Sequence, residues 1–169
     1  MNEVLKTIAD RRSIRAYDPT PIPEADLQAI MTAALEAPTA RNQQPWHFSV
    51  VTNRALLDEF DDALNPEKSV TYKAPAVIFI SAPIERSFFA KIDCGIAVQN
   101  MALAAWSLGY GNVILGAPRM VFTGEKGPYF NEKFDIPEGY EFIIGLAVGK
   151  ALASKDAHEK HPEKISYIR

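Results

Sequence analysis

Alternating hydrophobic patterns predict a mixed α and β fold, in the order α-α-β-α-β-α-β-α-β. Three observations carry this class: apolar stripes at three- and four-residue spacing, short β-branched runs between turn residues, and one long apolar run over 88–108. The chain has 169 residues, 47% of them hydrophobic. That length predicts one domain over residues 1–169, able to bury about 70% of its extended surface.

Residues 3–11 place Val4, Leu5, Ile8 and Ala9 on one helical face. Pro19, Pro21 and Pro23 then force an extended connection, because each disfavours helix in the residue before it. A second helix starts at Pro23-Glu24-Ala25-Asp26, with the proline and acids in the first turn, where the dipole favours them. Its stripe is Leu27, Ile30, Met31, Ala34 and Leu35, and it must stop before Pro38. An irregular loop, 38–45, leads into a strand from His47 to Thr52. Asn53 is a cap for a third helix with inner face Leu56, Leu57, Phe60 and Leu64. Ala76 to Ile80 reads as a buried strand.

Phe88 to Leu108 reads as the longest helix, closed by Gly109. It has no polar face, so it is expected to be buried on most sides by its own domain or by a second subunit. A strand from Asn112 to Ala117, a short helix around Pro128–Phe134, a strand from Glu141 to Val148 and a polar tail complete the chain. Such alternation favours parallel βαβ units. Two opening helices and a loose tail fit that pattern poorly, and the topology stays open at this level.

The net charge is −3, which excludes a generally basic nucleic-acid binder while leaving room for a basic pocket. The charge is uneven. Residues 1–20 carry +1, residues 150–169 carry +2, and the middle carries −6. If the two ends meet they form an anion site; otherwise both are solvated tails. The single cysteine, Cys94, fits a reducing compartment. No run is long enough to span a bilayer, and residues 1–6 do not read as a leader, so a soluble, cytoplasmic protein without membrane contact is expected.

Arg11-Arg12-Ser13-Ile14-Arg15 gathers three guanidiniums and a hydroxyl where a helix gives way to a loop, a composition suited to phosphate. The alternative is a basic patch pairing with Asp10 and Asp18. In the proline-bounded loop 38–48, Asn42, Gln43 and Gln44 offer amide donors and acceptors that can read a heterocycle or satisfy the backbone. Trp46 reads as core. Gly109-Tyr110-Gly111-Asn112-Val113-Ile114 lacks the third glycine of a dinucleotide fingerprint and follows a helix rather than a strand. Gly116 still leaves room for a flat ligand against the backbone. His47, His158 and His161 have no metal-site spacing around them, so no metal is expected. Cys94 reads as a buried, inert thiol.

Together these segments resemble the nitroreductase family of flavin enzymes. The resemblance rests on Arg11 to Tyr17, Ala37 to Phe48, Asp93 to Asn100, Leu108 to Gly111 leading into Ile114-Leu115-Gly116, and Lys155 to Lys160, all in family order. It implies an α+β fold with an antiparallel-rich central sheet packed by helices, in an intertwined homodimer with FMN at the interface. Arg11, Arg12, Ser13 and Arg15 would hold the FMN phosphate and ribityl chain, with Lys155 and His158 completing the phosphate site against competition from Lys150 and Lys160. Pro38, Thr39, Ala40 and Asn42 of the partner would cover the ring, and Leu115 and Gly116 would present backbone to its pyrimidine edge and N5 region.

The activity implied is ping-pong hydride transfer through flavin N5, from NADH or NADPH to a nitroaromatic, quinone or similar small-molecule acceptor. No side chain is then a catalytic group, since the flavin carries the chemistry. Alternatives within the resemblance are a non-catalytic FMN sensor or carrier and a flavin-using dehalogenase-type branch. Ile114 to Ala117 has no carboxylate where larger members place an acidic residue near N5, so neither substrate range nor nucleotide preference carries over.

Overall fold

The computed structural model describes residues 1–83 and 88–169. Its helices are α1 (Glu3–Asp10), α2 (Glu24–Leu35), α3 (Arg54–Asp62), α4 (Ala90–Ser107), α5 (Arg119–Phe122) and α6 (Gly127–Lys133). Its strands are β1 (His47–Val51), β2 (Ala76–Ala82), β3 (Gly111–Leu115) and β4 (Glu141–Gly149). The expected cap forms at Asn53, whose side chain accepts from Leu56 N at 3.1 Å, and Asn2 caps α1 by accepting from Leu5 N at 3.0 Å. Leu64 falls beyond the end of α3 and is exposed, so the inner face of that helix is shorter than its spacing predicts.

The sheet order is β1-β2-β4-β3 and every neighbouring pair is antiparallel. This corrects the expectation of parallel βαβ pairing. The reason lies in β4. Since β2 and β3 both run opposite to β4, they run the same way, and α4 does make a crossover between them. The last strand then inserts into the gap, and each partner it meets is antiparallel. The result is the α+β fold with an antiparallel central sheet.

Strand alternation sends side chains to two cores. Val77 and Phe79 of β2, Val113 and Leu115 of β3, and Phe142 of β4 join Phe60, Phe122, Phe130 and Phe134 under α3, α5 and α6. Phe79 stacks on Phe134 at 4.9 Å and Phe122 on Phe142 at 4.9 Å. On the other face Ala76, Ile78 and Ile80 of β2 and Leu146 and Val148 of β4 meet Ile30 and Ala34 of α2 and Cys94, Val98, Met101 and Ala105 of α4. Trp46 packs against this second core, as its apolar bulk predicts.

Within this chain α4 is buried on one side only. Ala90, Asp93, Ala97, Met101 and Ala102 face inward, while Ile92 is 56% exposed. The apolar face of α1 is likewise uncovered, with Val4, Leu5 and Ile8 all more than half exposed. No helix among the described residues is long and apolar enough to cross a membrane.

Candidate cofactor site

The segment after α1 runs extended beside the sheet and fastens to two places at once. Ser13 bridges Asn112 at the start of β3, and Tyr17 bridges Ala151 just past β4. Ile14 N donates to Asn112 O at 2.9 Å, Asp18 N to Lys150 O at 2.9 Å and Leu152 N to Ala16 O at 3.0 Å. Ile14 and Tyr17 sink into the aromatic core, and the Tyr17 hydroxyl donates to Ile14 O. Burial raises the Tyr17 phenol well above its ordinary value, so it stays neutral and acts as a structural peg.

Gly149 makes this approach possible. A Cβ there would lie 2.6 Å from Pro75 Cδ, 2.9 Å from Pro75 Cγ and 3.1 Å from Tyr17 Cδ1. The chain leaving β4 therefore passes directly beside the Arg11–Tyr17 segment, and the tail is delivered to the arginines.

The outcome is a cleft of about 440 Å³ lined by Arg11, Arg12, Ser13, Lys155, Asp156, Ala157 and His158. Parts of the two basic ends do meet at this cleft, although residues 150–169 are all exposed. Among the described residues no ion pair links Arg11, Arg12 or Arg15 to Asp10 or Asp18; Asp18 instead accepts from Thr20 N at 2.8 Å. Of the three competing lysines, Lys155 lines the cleft, while Lys150 and Lys160 do not.

The arginines are not equivalent. Arg12 Nη1 donates to Ala9 O at 2.7 Å and to Arg11 O at 2.9 Å, closing the C-terminal end of α1, where a cation is favoured. Arg11 Nη1 is buried with no hydrogen-bond partner among the described residues. Burial, and then the neighbouring Arg12 charge, pull the Arg11 guanidinium below its ordinary range. An anion at this place would relieve both effects, so the residues present fit a phosphate group.

The other site residues named from the sequence lie elsewhere. Arg15 is exposed and does not line the cleft; its guanidinium lies over the Tyr72 ring, 5.8 Å from the centroid. Pro38, Thr39, Ala40 and Asn42 occupy a loop with a short 3-10 turn, Ala40–Asn42, and none of them lines the cleft of their own chain. Ala40 N donates to Asp93 Oδ1 at 3.1 Å, tying that loop to the first turn of α4. Leu115 is buried at the end of β3, and Gly116 follows it exposed, with nothing within 4 Å of a Cβ built there.

Tyr72 and Asp93 have no motif of their own in the sequence. Asp93 sits inside the Asp93–Asn100 segment of the family resemblance, and its role becomes visible only through the loop it holds. Cys94 is buried and its thiol is pushed up to about 12, by burial first and then by Asp93. Among the described residues no group of three or more His, Cys, Asp or Glu could hold a metal ion.

Comparison with known proteins gives the family and the fold. The nitroreductase family profile matches residues 8–69 and 64–150. A protein of Archaeoglobus fulgidus is 34% identical over 98% of this chain and 97% of its own length. An NADH dehydrogenase of Thermus thermophilus is 41% identical over 84% of this chain and 78% of its own. The crystal structure of a nitroreductase with bound FMN from Desulfitobacterium hafniense has a TM-score of 0.93 and 33% identity, covering all of both chains. With the family profile spanning most of its length, the chain belongs to the nitroreductase family.

Proposed function

We propose that the chain is an FMN-dependent NAD(P)H oxidoreductase working as a cytoplasmic homodimer, with residues 1–169 forming one FMN-binding unit. The observation that carries this reading is the cleft lined by Arg11, Ser13, Lys155 and His158, whose Arg11 keeps a buried Nη1 with no partner among the described residues. A phosphate monoester is dianionic and rich in acceptors, and it suits a guanidinium, an ammonium and a hydroxyl. FMN when bound supplies a ring that takes hydride from NADH or NADPH and passes reducing equivalents to a nitroaromatic, quinone or similar small acceptor.

The chain's own residues bind, orient and shield. Arg11 donates from its free Nη1, Lys155 adds a point charge, and Ser13 adds a hydroxyl. His158 closes the tail side of the cleft. Arg12 contributes charge while its Nη1 holds the end of α1. Arg15 lies further along the segment and serves the cofactor beyond its phosphate. Leu115 and Gly116 offer backbone at the end of β3, where the absence of a side chain admits a flat ring.

Pro38, Thr39, Ala40 and Asn42 cover the ring bound by the second copy, a role supported by their absence from the cleft of their own chain. The uncovered faces of α1 and α4 support the homodimer, since apolar side chains grouped on neighbouring helices call for a partner.

Anaerobic titration of FMN-loaded protein with NADH and NADPH tests the reading. The expected result is a yellow protein that either nucleotide bleaches. A protein that neither retains nor takes up FMN would overturn it. Bound FMN that dithionite reduces and neither nucleotide does would make the chain a carrier instead.

A further inference from the structure

Tyr72 and Lys73, neither of them glycine, stand consecutively in the left-handed region, at φ 55° and 54°. Residues with a Cβ persist there when their surroundings over-determine the backbone, and such places concentrate at functional sites. The flanks of this turn are pinned. Asp61, buried near the end of α3, accepts from Val70 N at 2.9 Å, Thr71 N at 3.0 Å, Thr71 Oγ1 at 2.7 Å and the Ser69 hydroxyl. On the other side Lys73 Nζ donates to Asp58 Oδ1 at 2.8 Å and Arg54 Nη1 donates to Ala74 O at 2.8 Å.

Between these pins Tyr72 is half-buried. It packs on the aromatic core, and the Arg15 guanidinium lies over its ring. Arg15 is exposed and has no carboxylate partner among the described residues; its one hydrogen bond is a long 3.5 Å contact to Ser13 O. That contact keeps the Arg15 guanidinium beside Ser13, which lines the phosphate cleft. The ring face is therefore the main constraint on where this cation points.

We propose that Tyr72 is a positioning residue: latched in place through Asp61, its ring is a shelf that aims the Arg15 guanidinium along the cofactor cleft, toward the part of FMN beyond the phosphate. This rests on the FMN reading above. The ring quadrupole attracts the cation, and a shelf with fixed backbone spares Arg15 the ordering cost of finding that direction on binding. The strained turn is the means by which an aromatic side chain from the α3–β2 connection reaches a segment more than fifty residues earlier.

FMN dissociation constants from quenching of flavin fluorescence test it in Tyr72→Phe, Tyr72→Leu, Arg15→Ala and the Tyr72→Leu/Arg15→Ala double variant. Tyr72→Leu should weaken FMN about two- to fivefold, the scale of an exposed cation–π contact. Tyr72→Phe should bind as the unaltered protein does, and Tyr72→Leu should cost nothing further once Arg15 is alanine. Equal losses in both backgrounds, or a Phe variant as weak as the Leu variant, would overturn the proposal. Tyr72→Gln, which also lacks a ring face, replaces Tyr72→Leu if that variant does not fold. An unaltered protein that does not bind FMN overturns the functional reading itself, whereas intact binding without coupling overturns the shelf alone.

Discussion

Asp93 Oδ1 accepts the backbone N–H of Ala40 at 3.1 Å, while Oδ2 of the same carboxylate is buried with no hydrogen-bond partner among the described residues. The bond joins α4 to the loop that carries Thr39, Ala40 and Asn42. That loop needs a tether, because Arg41, Asn42 and Gln44 stand at φ 56°, 54° and 44°. Non-glycine residues there cost on the order of 1–3 kcal/mol each. Inner bonds from Gln44 N to Thr39 Oγ1 and from Gln44 Nε2 to Asn42 Oδ1 hold the loop's shape, and Asp93 holds its place.

Asp93→Ala should therefore free the loop and cost about 1–3 kcal/mol of stability. Trypsin should then cut after Arg41 faster than in the unaltered protein. Asp93→Asn keeps an acceptor for Ala40 and should be cut at close to the original rate. Equal rates for the alanine variant and the unaltered protein would mean that the tether does not restrain the loop.

Arg11→Ala removes the guanidinium with the free buried donor. FMN retention should fall by about 1.5–3 kcal/mol, the scale of a charged hydrogen bond, or roughly ten- to a hundredfold in affinity. Riboflavin, which lacks the phosphate, should bind both proteins alike. Fluorescence titration with both flavins reads the difference, and undiminished FMN affinity would take Arg11 out of the site.

Asn42→Ala tests the assignment of the loop to the neighbouring copy. Mixing this variant with Arg11→Ala should produce mixed dimers in which one of the two sites has both side chains intact. Flavin retention in the mixture should then exceed that of either variant alone. No gain on mixing would place Asn42 outside the site or within the same chain's site.

Cys94 should be chemically silent. With its thiol pushed up to about 12, only about one molecule in ten thousand is thiolate at pH 8, and its side chain is fully buried. A thiol reagent at pH 8 should label the native protein negligibly and the guanidinium-denatured protein with one equivalent. Prompt labelling of the native state would show that α4 opens at its first turns.

The sequence made some of this site legible and hid the rest for physical reasons. Counting charge at the two ends was enough to suggest an anion site, since Arg11, Arg12 and Lys155 advertise themselves by type. The pairing of strands was not legible, because alternation in β2 and β3 states which face is buried and not which strand is adjacent. The insertion of β4 between them depends on long-range register. Tyr72 and Asp93 were hidden for a related reason. Each acts through one partner far away in sequence, Arg15 and Ala40; Tyr72 stands in no motif, and the segment that contains Asp93 does not mark its contact with the loop. The outer faces of α1 and α4 were legible as apolar, but apolar spacing does not say what covers them.

Gly149 links stability to the site most directly. Its missing side chain lets Pro75 and Tyr17 close on the end of β4, with a built Cβ 2.6 Å from the proline ring. A proline ring cannot rotate away, and Tyr17 is pegged by its hydroxyl to Ile14 O and by its ring to the core. Gly149→Ala must shift Pro75 or the end of β4, and it crowds Tyr17 of the Arg11–Tyr17 segment. Overpacking of this kind costs about 1–3 kcal/mol, which for a chain of this size lowers Tm by roughly 2–12 °C. The crowded segment also carries Arg11 and Ser13, so FMN affinity should fall in the same variant although no cofactor-facing side chain has changed. Gly116→Ala is the contrast, because a Cβ there meets nothing within 4 Å and should leave Tm unchanged. Scanning calorimetry of the two variants without FMN, beside their FMN titrations, separates the effects. A Gly149→Ala protein with unchanged Tm and unchanged FMN affinity would show that the contact between the β4 exit and the Arg11–Tyr17 segment does not shape the cleft.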